Sequence, residues 1–142
     1  RKVATLKWGG SAENGLHVRG ELNVPVDEAF CSAPHVDIFK GSEIYEEIAG
    51  TVGEKALLPV MHMAFTRQQM RVDTGKSISV ISLDDGVIRT ANGEVPIAEL
   101  EIELYSGDQE DMVRLGEELA AKYNLAAGDC SKFQKGLALL RG

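Results

Sequence analysis

Apolar and polar residues alternate along most of this chain. In the segment LHVRGELNVPV, Leu16, Val18, Leu22 and Val24 share one parity, and His17, Arg19, Glu21 and Asn23 share the other. Side chains two apart on a strand project to the same face, so this segment predicts a strand with one apolar and one charged face. The preceding VATLKWGG alternates similarly and runs into Gly9-Gly10, which predicts a strand, a turn and a hairpin with its neighbour. Strands are also predicted over LPVMHMAFTRQQMRV, KSISVISLDDG, VIRT and VPIAELEIELYSG. The turns between them are placed at Asp73-Thr74-Gly75, Asp85-Gly86 and Asn92-Gly93. The last segment has the cleanest period of two, with Leu100, Ile102 and Leu104 against Glu99, Glu101 and Glu103.

Two stretches break this rhythm. Ser42, Glu43, Glu46 and Glu47, with Ile44 and Ile48 four apart, predict a short acidic helix ending near Gly50, within a connecting and lid-like stretch. From 108 to 123, Met112, Leu115, Leu119, Ala120 and Tyr123 recur at steps of three and four. That spacing predicts an amphipathic helix capped by Asp108 and stopped near Asn124. The expected fold class is therefore mainly antiparallel β with a carboxyl-terminal helix.

Charge changes the picture more than composition does. The 142 residues, 44% hydrophobic and 26% charged, suit one globular domain. The 15 basic and 22 acidic residues give a formal charge of −7, which argues against nucleic acid and anionic membranes as partners. No apolar run is long enough for a membrane helix. Cys31 and Cys130 lie far apart with no metal-ligand spacing, and they read as free thiols of a reducing, cytoplasmic compartment. The informative charges are those on strand segments: Lys7, Arg19, Arg67, Arg71 and Lys76 against Glu21, Asp84, Glu99, Glu101 and Glu103. An open sheet would leave these as a solvated stripe. A sheet that curls closed would crowd carboxylates together, a conflict that a hard divalent ion such as Mg²⁺ or Mn²⁺ resolves, with Arg and Lys left to hold phosphate.

Several strings in combination, TLKWGG with GLHVRGELNV, then LLPVMHMAFTR, SLDDGVI, PIAELEIELYSG and SKFQKG, resemble the CYTH superfamily of triphosphate tunnel metalloenzymes. The bacterial inorganic triphosphatase branch is the better match. The resemblance implies an antiparallel tunnel that binds inorganic triphosphate, or another triphosphate-containing small molecule, through basic side chains and Mg²⁺ or Mn²⁺ through acidic ones. It assigns phosphate contacts and catalytic charge stabilisation to Lys7, Arg19, Arg67 and Lys132, with Glu21 and Lys135 as further substrate-binding residues. It assigns metal to Asp84, Glu99 and Glu101, with Glu103 as a register-dependent alternative, since all three glutamates share a face. The family's amino-terminal strand, with its Glu-x-Glu-x-Lys pattern, has no counterpart before Lys7. Residues 1–142 are thus expected to form a partial CYTH domain lacking its amino-terminal strands, an incomplete tunnel completed by the missing segment or by a homodimer.

The expected activity is divalent-metal-dependent hydrolysis of a phosphoanhydride. The alternatives are a class IV-type adenylyl cyclase, which needs a nucleoside pocket that the sequence does not display, and a non-catalytic, oligomeric anion-binding module. His17, His35 and His62 lack metal-site spacing, and no P-loop string is present, so neither supplies a competing chemistry.

Overall fold

The computed structural model describes the backbone of residues 1–13 and 16–142 and the side chains of 1–10, 16 and 20–142. The chain divides into two compact units, Arg1–Ser11 with Val18–Pro59, and Ala12–His17 with Val60–Gly142.

Strands β1 (Lys2–Glu13) and β2 (Leu16–Val26) form a two-stranded sheet, as the alternation predicts. Its parity survives: Thr5, Lys7, Glu21 and Asn23 are exposed, whereas Leu6, Trp8, Leu22 and Val24 are half-buried. The Thr5 hydroxyl donates to Asn23 Oδ1 at 2.6 Å across the pair. Gly20, which interrupts the apolar pattern, has a packing reason, because a Cβ there would collide with the indole of Trp8. The connecting region holds α1 (Glu28–Ser32), a 3-10 turn (Val36–Phe39) and α2 (Tyr45–Val52). The acidic helix therefore starts and stops slightly later than expected, at a Gly53 with φ of 59°.

The larger unit is built on an antiparallel three-stranded sheet, β3 (His62–Asp73), β4 (Ser77–Thr90) and β5 (Gly93–Gly107), with β4 central. Thr74 and Gly75 turn β3 into β4. Thr74 N–H donates to Ser77 O, Gly75 N–H donates to Asp73 Oδ1, and Gly75 has φ of 89°. Ala91 and Asn92 turn β4 into β5, with Thr90 facing Gly93.

The turn expected at Asp85-Gly86 does not exist, and VIRT is the end of β4 rather than a strand of its own. Gly86 lies opposite Phe65 on one side and Ile97 on the other. A Cβ at this position would strike the Ala64 carbonyl and lie 2.5 Å from Phe65 Cα. The glycine answers a close approach of β3, not a reversal of the chain.

Two helices follow where one was expected. Helix α3 (Gln109–Tyr123) matches its predicted limits, with Asp108 accepting from Glu110 N–H at the start and Asn124 in the left-handed conformation at the end. Asp111 in its first turn accepts from the hydroxyls of Thr74 and Ser77 and from Arg114, which ties the helix to the β3–β4 turn. Helix α4 (Lys132–Arg141) opens on a capping box in which Ser131 and Gln134 satisfy each other's backbone N–H groups. At its far end the Asn92 side-chain amide donates to Leu140 O at 2.7 Å and to Leu139 O at 3.5 Å.

The helices take opposite faces of the sheet. Gly116 of α3 approaches Ile102, whereas Gly136 of α4 approaches Met61 and Ile88. By register, Ile102 shares a face with Ile81 and Met70, and Ile88 shares the other with Gly86, Asp84 and Ser82. Ile88, Ile97, Ile81 and Met112 form the buried apolar centre of this unit among the described residues. The described strands form these two sheets and no closed barrel, and no described helix is long and apolar enough to cross a membrane.

Candidate metal centre

The α4-covered face of the sheet is graded along its length. Its transverse rows read Met63, Ile88, Val95; then Phe65, Gly86, Ile97; then Arg67, Asp84, Glu99; then Gln69, Ser82, Glu101; then Arg71, Val80, Glu103. Apolar residues hold one end and charges the other. Helix α4 repeats this gradient. Its residues with reduced exposure, Lys132, Lys135, Gly136, Leu137, Leu139 and Leu140, run from charged to small to apolar along the helix. Gly136 admits the helix against Ile88, where a Cβ would meet Met61 Sδ and lie 3.2 Å from Ile88 Cγ2.

Under the first turn of α4, the carboxylates of Asp84, Glu99 and Glu101 converge, and one oxygen from each lies within 4.8 Å of the other two. Asp84 is fully buried, Glu99 is 17% exposed and Glu101 is 46% exposed at the side chain. The Lys132 ammonium stands among them, 2.8 Å from Asp84 Oδ2, 2.7 Å from Glu99 Oε2 and 2.8 Å from Glu101 Oε1. Arg67 closes the group from β3. Its Nε and Nη2 each donate to Asp84 at 2.6 Å, a two-point fork, and Nη2 also reaches Glu101 at 3.2 Å. Lys135 donates to Glu99 Oε1 at 2.8 Å. Phe65 lies beneath both cations, 5.4 Å from Arg67 Cζ and 5.0 Å from Lys132 Nζ.

These contacts decide the protonation states. The Arg67 fork, helped by Lys132, holds Asp84 down at about 2 despite burial. Burial pushes Glu99 upward, but hydrogen bonds from Lys132 and Lys135 outweigh it and hold the carboxyl below its usual range. Burial likewise disfavours the Lys132 ammonium, and its three carboxylate partners outweigh this and raise its pKa. Asp84, Glu99 and Lys132 are therefore ionised at neutral pH. Three hard oxygen donors converging on one point suit a divalent cation. The fit is visible in the protein itself, since a cationic nitrogen already stands at their meeting point.

The other residues singled out in the sequence are placed differently. Glu103 shares the face two rows further along but is exposed and lies outside the three-carboxylate group. Lys7 and Glu21 form an exposed pair at 4.0 Å on the β1–β2 hairpin. The side chain of Arg19 lies outside the described residues. Neither Lys132 nor Arg67 is free in this structure, because both are engaged by carboxylates. The element missed from sequence is α4 itself, which its capping box, Ser131-x-x-Gln134, could have disclosed.

The sequence profile of the CYTH domain matches residues 1–137. An inorganic triphosphatase of Haemophilus influenzae is 30% identical over 135 residues, which cover 95% of this chain and 37% of that protein. The chain thus spans little more than a third of the length of that curated relative. With its profile matched along nearly the whole sequence, the chain belongs to the CYTH domain family.

Proposed function

We propose that this chain contributes the metal-binding part of a site that hydrolyses inorganic triphosphate with Mg²⁺ or Mn²⁺. The observation that carries the reading is the meeting of Asp84, Glu99 and Glu101 at one point, flanked by Arg67, Lys132 and Lys135. Membership of the CYTH family and the likeness to an inorganic triphosphatase support it.

In this reading the three carboxylates hold the metal. A bound divalent ion supplies Lewis-acid withdrawal of charge from a phosphoryl group. Arg67, with a planar fork, and the two lysines, as point charges, orient the phosphate chain and offset the negative charge that grows on its oxygens as the anhydride bond breaks. The CYTH resemblance alone nominates Lys7, Arg19 and Glu21 as further substrate-binding residues. No side chain is assigned as a separate general base.

The test is phosphate release from tripolyphosphate by the full chain with Mg²⁺ or Mn²⁺, alongside Glu101→Gln. Glu101 is half exposed, so the amide leaves folding intact. The expected result is a loss of at least about tenfold in rate, the scale of a perturbed metal shell, with an unchanged circular dichroism spectrum. Hydrolysis by the variant at the wild-type rate would overturn the assignment. Cyclic AMP formed from ATP would transfer the site to cyclase chemistry, and phosphate binding without turnover would leave an anion-binding module.

A further inference from the structure

Lys132 Nζ and a divalent ion have the same claim on the same place. The ammonium touches one oxygen from each of the three carboxylates at 2.7 to 2.8 Å. A Mg²⁺ ion demands oxygens at about 2.0–2.1 Å, which requires the carboxylates to contract around it. A contracted triad leaves no room for a second cation between its members, and two cations this close in a shielded site repel strongly. We propose that Lys132 is a built-in counterion of the metal site, which a divalent ion displaces on binding, so that this lysine sets the site's metal affinity. The inference rests on the metal-site reading above and deepens it.

Two further features support displacement over coexistence. Lys132 is the first residue of α4, where the partial positive charge of the helix dipole opposes a cation, and no acidic residue offsets it within that turn. Its position is therefore favourable only while the carboxylates face it. Its side chain is only 13% exposed, so those carboxylates stand in for water.

Lys135 provides the contrast. It touches Glu99 alone, through Oε1, while Lys132 holds Oε2. It is 34% exposed and stands outside the triad, so it can keep its contact when Oε2 turns to a metal.

The experiment titrates the metal-free full chain with Mn²⁺, comparing wild type, Lys132→Met and Lys135→Met by calorimetry. Methionine keeps the stem and removes the charge. Lys132→Met is expected to bind Mn²⁺ about tenfold tighter or more, the value of one charge-assisted hydrogen bond released from competition. Lys135→Met, which removes an equal charge outside the triad, is expected to shift affinity by about threefold or less. In parallel, amine acylation of wild type, mapped by mass spectrometry, should find Lys132 protected without metal and faster to react at saturating Mn²⁺. The exposed Lys122 should be unchanged. Wild-type binding with no greater tightening in Lys132→Met than in Lys135→Met overturns the proposal and leaves the metal site standing. Should Lys132→Met fail to fold, unchanged acylation of wild-type Lys132 under Mn²⁺ overturns it alone. Absence of Mn²⁺ binding in all three proteins overturns both readings.

Discussion

The β1–β2 hairpin and the β3–β4–β5 sheet both place basic and acidic residues on one strand face. On the hairpin, Lys7 and Glu21 stand 4.0 Å apart, each about half exposed, and water does most of the work of stabilising them. On the larger sheet, Asp84 is wholly buried, and two cations lie within 2.8 Å of its oxygens. Strand alternation alone yields the first result in both places. The second requires a cover, and α4 provides it by laying Lys132 and Lys135 over the charged rows and Gly136 over the apolar ones. A charged strand face becomes a site when a second element excludes water from it and returns charge of the opposite sign.

The strongest way to break this comparison is to remove the buried carboxylate. Asp84→Ala leaves Arg67 and Lys132 facing a vacancy, and we expect a loss of about 2–3 kcal/mol in urea unfolding, moderated because Arg67 can turn toward water. The effect has a pH signature in metal-free buffer. Asp84 titrates lower in the folded protein than unfolded, so its contribution is complete above its ordinary value of 3.8 and is lost as the pH falls from there through about 2. The gap between wild type and variant should close over that interval and stay constant between pH 5 and 7.

Lifting the cover is the next test. Gly136→Val drives two methyl groups against Met61 and Ile88, and a cost of about 1–3 kcal/mol is expected from overpacking. Amide exchange should quicken along α4 before it does in α3, which rests on the opposite face. Equal protection of α4 in both proteins would show that Gly136 does not control the docking.

The smallest effect belongs to the hairpin. A double-mutant cycle with Lys7→Met and Glu21→Gln should return a coupling below about 0.5 kcal/mol that vanishes at high salt. A coupling comparable to that of Arg67 with Asp84 would erase the distinction between open and covered faces.

The strand parity was legible because period-two alternation is local, and the five-residue run from Glu99 to Glu103 shows it without interruption. Helix α3 was legible for the same reason, with Asp108 and Asn124 marking its ends. Gly86 misled because glycine serves both turns and close approaches, and only the neighbouring strand distinguishes them. Helix α4 was hidden because its buried stripe begins with two lysines and a glycine, while Phe133, its bulkiest residue, points outward at 52% exposed. Leu137, Leu139 and Leu140, all half-buried, crowd its last turn and set no apolar period along the helix. The pairing of Lys132 with Glu99 and Glu101 spans 33 and 31 positions, and no spacing rule within one sequence carries it. The CYTH resemblance nominated both partners without placing one against the other.

The Asn92 amide, donating to the carbonyls of Leu139 and Leu140, gives α4 a pivot at its tail. Ten residues of helix make a rigid lever about 15 Å long. A swing of only a few degrees about that fulcrum carries Lys132 through an ångström or more while the tail stays clasped. If a divalent ion displaces Lys132 as proposed, the β4–β5 hairpin tip, through Asn92, is the anchor against which that displacement would be made.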